Sequence, residues 1–203
     1  EGFTVTLSGA TGATLGTSSA TGTIRNDDAT TLENYGSTRL DVLGGQYYLR
    51  DSGGSGPTLK FQGVAVTSGQ FPGWTPVGVE KVGSGYQLAW KNGSADQYLV
   101  WSLDGGGNYV GNATGVIGGS SAELQGVEPT FQQDLNGDGT TGLKTTTLEN
   151  YGSTRLDQVV NQYYLRDSGG SGPTLKFQGV AVTSGQFGSW APIGVEKVGS
   201  GYQ

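Results

Sequence analysis

The chain repeats itself at long range. Residues 31–87 return as residues 147–203, at an offset of 116, and only eight of those 57 positions differ. Four differences are contiguous: Val42, Leu43, Gly44 and Gly45 become Gln158, Val159, Val160 and Asn161. The other four surround a tryptophan, where Pro72, Gly73, Thr75 and Val77 become Gly188, Ser189, Ala191 and Ile193. A period this long encloses a whole folding unit, not one coil of a solenoid. Tandem arrays of near-identical units serve reach and avidity more than a single chemical step. Three segments are expected: 1–28, a complete unit at 29–146, and a shorter second copy at 147–203. The second copy stops at Tyr202-Gln203, where the first runs on as Leu88-Ala89-Trp90. With an opening in mid-pattern, this reads as a segment of a longer polypeptide.

Composition narrows the class. Glycine is the commonest residue at 39 of 203, yet short aromatic and β-branched runs lie between the glycines. That pattern predicts dense turns between strands. The net charge of −6 disfavours nucleic acid and anionic membranes, which require basic patches, and suits divalent cations. Cysteine and histidine are both absent, which excludes the usual zinc, haem and iron–sulfur sites and Ser-His-Asp or Cys-His catalysis within these residues. No signal peptide or membrane span is visible, and no direct membrane insertion is expected.

Alternation assigns the strands. Phe3–Ser8 and Ala20–Arg25 alternate apolar residues with hydroxyls and predict two strands, which are marginal by themselves. The unit that follows holds two weakly related halves, each strand, glycine turn, strand, glycine turn, strand. Asp51-Ser52-Gly53-Gly54 in one parallels Asp104-Gly105-Gly106-Gly107 in the other. This spacing predicts an all-β antiparallel meander, arranged as a sandwich or a propeller-like array. Asn92-Gly93 and Asp104-Gly105 are expected to supply positive φ in its hairpins. Tyr86, Leu88 and Trp90 share one strand face; Leu99, Trp101 and Leu103 share another, with Tyr98 and Val100 opposite. Strands apolar on both faces belong between layers, so Trp90 and Trp101 are expected in the core. Ser120-Ser121-Ala122-Glu123 is a capping-box pattern for a short helix stopping at Gly126, with Pro129 starting a brief turn.

Asp134-Leu135-Asn136-Gly137-Asp138-Gly139-Thr140 carries the strongest chemical signal. Oxygen side chains fall at loop positions 1, 3 and 5, with glycine at 6, as in the opening of an EF-hand loop. Asp134, Asn136 and Asp138 are the expected Ca2+ ligands, followed by the Thr140 carbonyl. Position 12 is Thr145 instead of an acid, so the expected affinity is weak, on the order of 10⁻⁴–10⁻³ M. Glu128 just upstream is a further candidate donor, and Glu149 would have to curl back to contribute.

Two family resemblances rest on these residues. Phe3–Ser8, Ala20–Asp28 and the Asn26-Asp27-Asp28 terminus resemble the C-terminal end of a Calx-β domain. That implies part of an immunoglobulin-like sandwich, with Asp27 and Asp28 as candidate calcium ligands. The run from Trp74 to Gly142 contains Gly85-Tyr86-Gln87-Leu88-Ala89-Trp90-Lys91, Asp96-Gln97-Tyr98-Leu99-Val100-Trp101 and Gln133-Asp134-Leu135-Asn136-Gly137-Asp138-Gly139. It resembles the tryptophan-containing tandem repeats of very large RTX-type bacterial surface proteins exported by type I secretion. This implies an extracellular or cell-surface, calcium-rich setting and a structural or adhesive role. The expected partners are neighbouring repeats or neighbouring subunits, with surface polysaccharide as a further candidate. The glycine-rich nonapeptide calcium repeats of that superfamily are absent from these residues.

The alternative is a carbohydrate-binding module of a secreted enzyme. The chain has 4 Trp, 10 Tyr and 6 Phe, and exposed rings stack on sugars. Trp74 and its counterpart Trp190 are the candidates, because Trp74 lies outside a clear strand pattern. Enzyme activity is not expected. Glu33, Asp41, Asp51, Glu80, Asp96 and Asp104 are catalytic candidates by residue type only.

Overall fold

The computed structural model describes residues 2–24 and 28–203. Over those residues it is built of antiparallel strands and one helix, and none of the sheets closes into a barrel. Strands β1 (Gly2–Thr6) and β2 (Ser19–Thr23) pair as a hairpin. Phe3, Val5, Leu7 and Ile24 on and beside it are all exposed. The first copy continues with β3 (Thr30–Glu33), β4 (Arg39–Leu43) and β5 (Gln46–Arg50) in one sheet, then the short pair β6 (Lys60–Phe61) and β7 (Val64–Ala65). A four-stranded meander follows: β8 (Trp74–Val82), β9 (Gly85–Asn92), β10 (Gln97–Leu103) and β11 (Tyr109–Asn112). Helix α1 (Ala122–Phe131) and the Asp134–Gly142 loop close the unit.

The second copy opens with no linker. Its strands are β12 (Thr145–Glu149), β13 (Arg155–Val159), β14 (Gln162–Arg166), β15 (Lys176–Phe177), β16 (Val180–Ala181), β17 (Lys197–Val198) and β18 (Gly201–Tyr202). They reproduce β3–β7 and the tip of the β8–β9 hairpin. Among the described residues no helix is long and apolar enough to cross a membrane.

The two expected halves exist and match in detail. In the β5–β6 connection Asp51 Oδ1 accepts from the amides of Gly53 and Ser55, each at 2.9 Å. In the β10–β11 connection Asp104 Oδ1 accepts from Gly106 and Asn108, also at 2.9 Å. The halves then exchange contacts. Glu33 of β3 accepts from the Val79 amide of β8, and Glu80 of β8 accepts from the Ser37 amide before β4. A parallel bridge between Lys60 and Asn108 joins their third strands.

The meander is buried on both faces, as its alternation predicts. Leu88, Trp90, Trp101 and Leu103 pack on Leu40, Tyr47, Leu49, Leu59 and Val66 of the first half. Ala89, Tyr98 and Val100 pack on Leu124 and Phe131 of α1 and on Leu135. Trp90 is 2% exposed and Trp101 6%. Their ring centroids lie 4.9 Å apart, with Phe61, Phe71 and Tyr109 around them in mostly edge-on contacts. Edge-to-face rings add attraction beyond area burial.

Four local expectations need correction. Trp74 is not in a loop: it begins β8 and packs against the aromatic core. The helix does not stop at Gly126, and Pro129 lies inside it. Leu124, Glu128 and Phe131 form one buried stripe at helical spacing, and burial of that stripe carries the helix through a residue that removes one i→i−4 bond. The N-cap is Ser121, one residue later than the capping-box pattern, with its side chain accepting from Leu124 N at 3.1 Å. The turns at Asn92-Gly93 and Asp104-Gly105 do not use those glycines in the left-handed region. Asn92 and Asp104 bond the amides that follow, and Gly107, at φ +77°, makes the reversal.

The β4–β5 turn differs between copies. Gly44 has φ +58°, and its replacement Val160 is held at φ +55°. A β-branched residue there is strained by about 1–2 kcal/mol. Val160→Gly should therefore stabilise the second copy by about 1 kcal/mol, read as slower hydrogen exchange across residues 155–166. Trp101→Ala should destabilise the first unit by ~3–5 kcal/mol in denaturant unfolding, because it opens a cavity between the four rings of Phe61, Phe71, Trp90 and Tyr109.

Candidate functional site: the junction loop

The loop from Asp134 to Gly142 leaves α1 and leads straight into β12. Its side-chain oxygens organise its own backbone. Asp134 Oδ1 accepts from Gly137 N at 2.7 Å and Asp138 N at 3.2 Å, and Oδ2 accepts from Gly139 N at 2.7 Å. Asn136 Oδ1 accepts from the same Asp138 amide at 2.9 Å, so oxygens of Asp134 and Asn136 converge on one nitrogen. Asp138 Oδ1 accepts from Thr140 N at 2.9 Å. Gly139 has φ +85°, the sharp bend expected of position 6. Asp134 Oδ2, Asn136 Oδ1 and Asp138 Oδ1 each accept a single amide and keep a lone pair beyond it, and oxygen donors in an acidic loop suit a hard cation. Lys144 is also present: its Nζ donates to the Asp138 carbonyl at 3.0 Å and lies 4.0 Å from Asp138 Oδ2.

Glu128 sits behind this loop, fully buried on the apolar stripe of α1. Its Oε1 accepts from Leu135 N at 3.0 Å and Asn136 N at 3.3 Å, and its Oε2 from Gly142 N at 2.9 Å. The carboxylate gathers backbone amides from both ends of the loop. Burial pushes its pKa above the usual carboxylate value, against the lowering effect of those amides. An acid on an otherwise apolar helical stripe is the sequence signal for such a role. Glu149 faces the Val195 and Tyr151 amides in the second copy's equivalent of the Glu33 contact, not the loop.

Two further contacts fix the surroundings. Asp96 accepts from Gly119 N through both oxygens at 3.1 Å, and Asn136 Nδ2 donates to Gly119 O at 2.6 Å. Lys144 N donates to Gln125 Oε1 at 2.8 Å, and Lys144 O accepts from Val160 N at 2.7 Å. One residue thus bonds α1 of the first unit and the β13–β14 turn of the second. A polar cleft of about 500 Å³ lies here, lined by Asp96, Asn136, Asp138, Lys144, Gln158 and Val160. Sequence reasoning named Asp96 only as a catalytic candidate by residue type and missed Gln125 and Lys144; their roles arise from contacts 6 to 23 residues distant in sequence, Asp96 with Gly119, Gln125 with Lys144 and Lys144 with Asp138.

The remaining candidates are placed as follows. Asp27 lies outside the described residues, and Asp28 is exposed ahead of β3. Trp74, half-buried, lines a small apolar pocket with Phe71, Trp90, Leu99 and Trp101, whereas Trp190 is 82% exposed. Asp41 is buried between Arg39, Arg50 and Thr31. Asp51 and Asp104 cap turns, Glu80 holds Ser37, and Asp96 holds Gly119. Burial also pushes Glu33 up to about 7 from an ordinary 4.5, despite its bonds to the Tyr35 and Val79 amides.

A family model described as the tryptophan-rich Synechocystis species C-terminal domain matches residues 40–142, just over half of the chain. The chain belongs to this family. The match spans β4 through the junction loop, so the aromatic core and the Asp134–Gly142 segment fall inside the tryptophan-rich domain. No curated protein and no solved structure matches.

Glu33 makes stability pH-dependent. The folded state keeps its proton up to about pH 7, whereas the unfolded chain gives it up near 4.5. The contribution is complete below pH 4.5 and is lost as pH rises towards 7. Thermal melts should show wild type losing stability over this interval, by ~2–3 kcal/mol at most. Glu33→Gln should flatten that slope, whatever its effect on the absolute melting temperature.

Proposed function

We propose that this chain is a structural or adhesive tandem-repeat segment of a large extracellular or cell-surface bacterial protein, stiffened by calcium at the junctions between repeats. The observation that carries this reading is the position of the Asp134–Gly142 loop. It separates two near-identical copies, and Lys144 at its end bonds both of them. Asp134, Asn136, Asp138 and the Thr140 carbonyl are the proposed calcium donors. Asp27 and Asp28 are secondary candidates on the resemblance to a Calx-β end. Glu128 would act through the loop backbone, since its oxygens already hold three amides.

The resemblance to tryptophan-containing repeats of RTX-type proteins supports a type I-secreted, surface-attached host. A bound calcium would supply positive charge to the acidic loop. The chain's own residues do the rest: Glu128 fixes the loop against α1, and Lys144 transmits its order to the β13–β14 turn. Against the carbohydrate-module reading, Tyr47, Trp90, Tyr98 and Trp101 are buried and are engaged with one another and with aliphatic neighbours, so they present no coplanar exposed row.

Calcium should raise the melting temperature of the 203-residue protein. At ~10 mM and a dissociation constant on the order of 10⁻⁴–10⁻³ M, mass action gives about 1.4–2.7 kcal/mol. Replacing Asp134 and Asp138 with Ala together should remove this increment, even if the variant starts from a lower baseline. An equal increment in the double variant, or an equal response to magnesium, would sink the calcium assignment.

A further inference from the structure

The four contiguous differences between the copies fall on one hairpin turn. Val42, Leu43, Gly44 and Gly45 carry β4 into β5, and Gln158, Val159, Val160 and Asn161 carry β13 into β14. The substitutions leave the hairpin register alone: Leu43 faces Gln46 in the first copy, and Val159 faces Gln162 in the second. For the turn itself the first copy has the better residues. Gly44 and Gly45 take φ +58° and +80°, as a tight hairpin turn requires and as glycine adopts without strain. Crowding does not demand those glycines, since a Cβ on either would meet nothing within 4 Å. The second copy instead holds the β-branched Val160 at φ +55°. Strain of that kind persists where the surrounding contacts over-determine it.

The surrounding contacts come from the unit ahead. Val160 N donates to Lys144 O at 2.7 Å, and the Lys144 amide is itself bonded to Gln125 of α1. Gln158 Nε2 donates to the Val160 carbonyl at 2.9 Å and braces the strained residue, which its counterpart Val42 has no polar atom to do. Gln158, Val160 and Thr146 form one wall of the junction cleft. Asp96, Gln125, Asn136 and Asp138 of the first unit form the other. The residues ahead of the first copy do not repeat that facing wall. At the same offset of 116, Gly9, Ala20 and Gly22 stand for Gln125, Asn136 and Asp138, and Asp28 stands for Lys144 with the opposite charge.

We infer that residues 158–161 are a recognition turn, by which one repeat seats on the polar end of a preceding repeat of the same kind. Gln158 and Val160 meet the surface made by α1 and the Asp134–Gly142 loop, and the strain at Val160 is kept for that contact and not for the hairpin. Residues 42–45, with the relaxed Gly-Gly turn, suit a copy that follows a different kind of segment. The inference rests on the tandem-repeat reading of the chain but not on calcium, so the test is made in chelator.

The chain has no cysteine, so Ser84→Cys and Ser168→Cys, both at exposed positions, place one spin label on each side of the junction. Pulsed electron spin resonance on the 203-residue protein then reads the spread of distances between them. Gln158→Val, Val159→Leu, Val160→Gly and Asn161→Gly together should widen that spread about twofold, since units without a fixed interface move independently. The reciprocal exchange, Val42→Gln, Leu43→Val, Gly44→Val and Gly45→Asn, should leave it unchanged. Hydrogen exchange across residues 155–166 should be as slow or slower in the first variant, because the strain at residue 160 is gone. The inference is overturned by an unchanged spread, or by equal widening from the reciprocal exchange. Faster hydrogen exchange at residues 155–166 also overturns it, by showing that these four residues serve their own hairpin. A spread that narrows only on adding calcium, and equally in wild type and variant, would uphold the calcium junction and overturn the recognition turn.

Discussion

The contact between Trp90 and Trp101 is the constraint on which the rest of the complete unit depends. Glycine-rich strands bring little side-chain volume to a core, and two indoles on neighbouring strands supply it. They reach Phe61 and Phe71 in the first half and so fasten the four-stranded meander onto it. In the second copy, with no counterparts of these two rings within the chain, the same residues leave a groove open and an edge strand mostly unformed.

Buried carboxylates fix how the halves register. Glu33 and Glu80 each take an amide from the opposite half. Asp41 sits between two arginines and a threonine, and the second copy repeats this with Asp157, Arg155, Arg166 and Thr147. The buried Asp41 and Asp157 are tolerated because each is paired with arginine, and the removal of one partner would strand the other in a dry site. These contacts make the meander specific, while the aromatic rings make it stable.

The junction joins the two themes. Glu128 lies on the buried face of α1, and its carboxylate draws in both ends of the Asp134–Gly142 loop. The loop passes directly to Lys144, which bonds Gln125 behind it and Val160 ahead of it. Gln158 and Val160, two of the four contiguous positions that distinguish the copies, line the cleft at this junction. The substitution of Gly44 by strained Val160 thus falls where one unit meets the next.

The all-β class, the two halves, the two-sided burial of the meander and the places of the turns at Asp51 and Asp104 were legible from residue order, because strand alternation and glycine-rich breaks are local; the Asx bonding that builds the Asp104 turn was not, since Gly105 was expected to take positive φ. Legible too was the bend of the Asp134–Gly142 loop, which its own side chains build. The length of α1, the strand assignment of Trp74 and the buried role of Glu128 were not. Each depends on surfaces far away in sequence: a sheet face that holds the helix through Pro129, strands that pull Trp74 into β8, and amides that need a buried acceptor. By itself the sequence determined which segments alternate, where they turn and that a unit recurs after 116 residues. Only the tertiary structure decided how the complete unit closes, since closure requires two tryptophans from a later strand pair to reach rings laid down some 30 residues earlier.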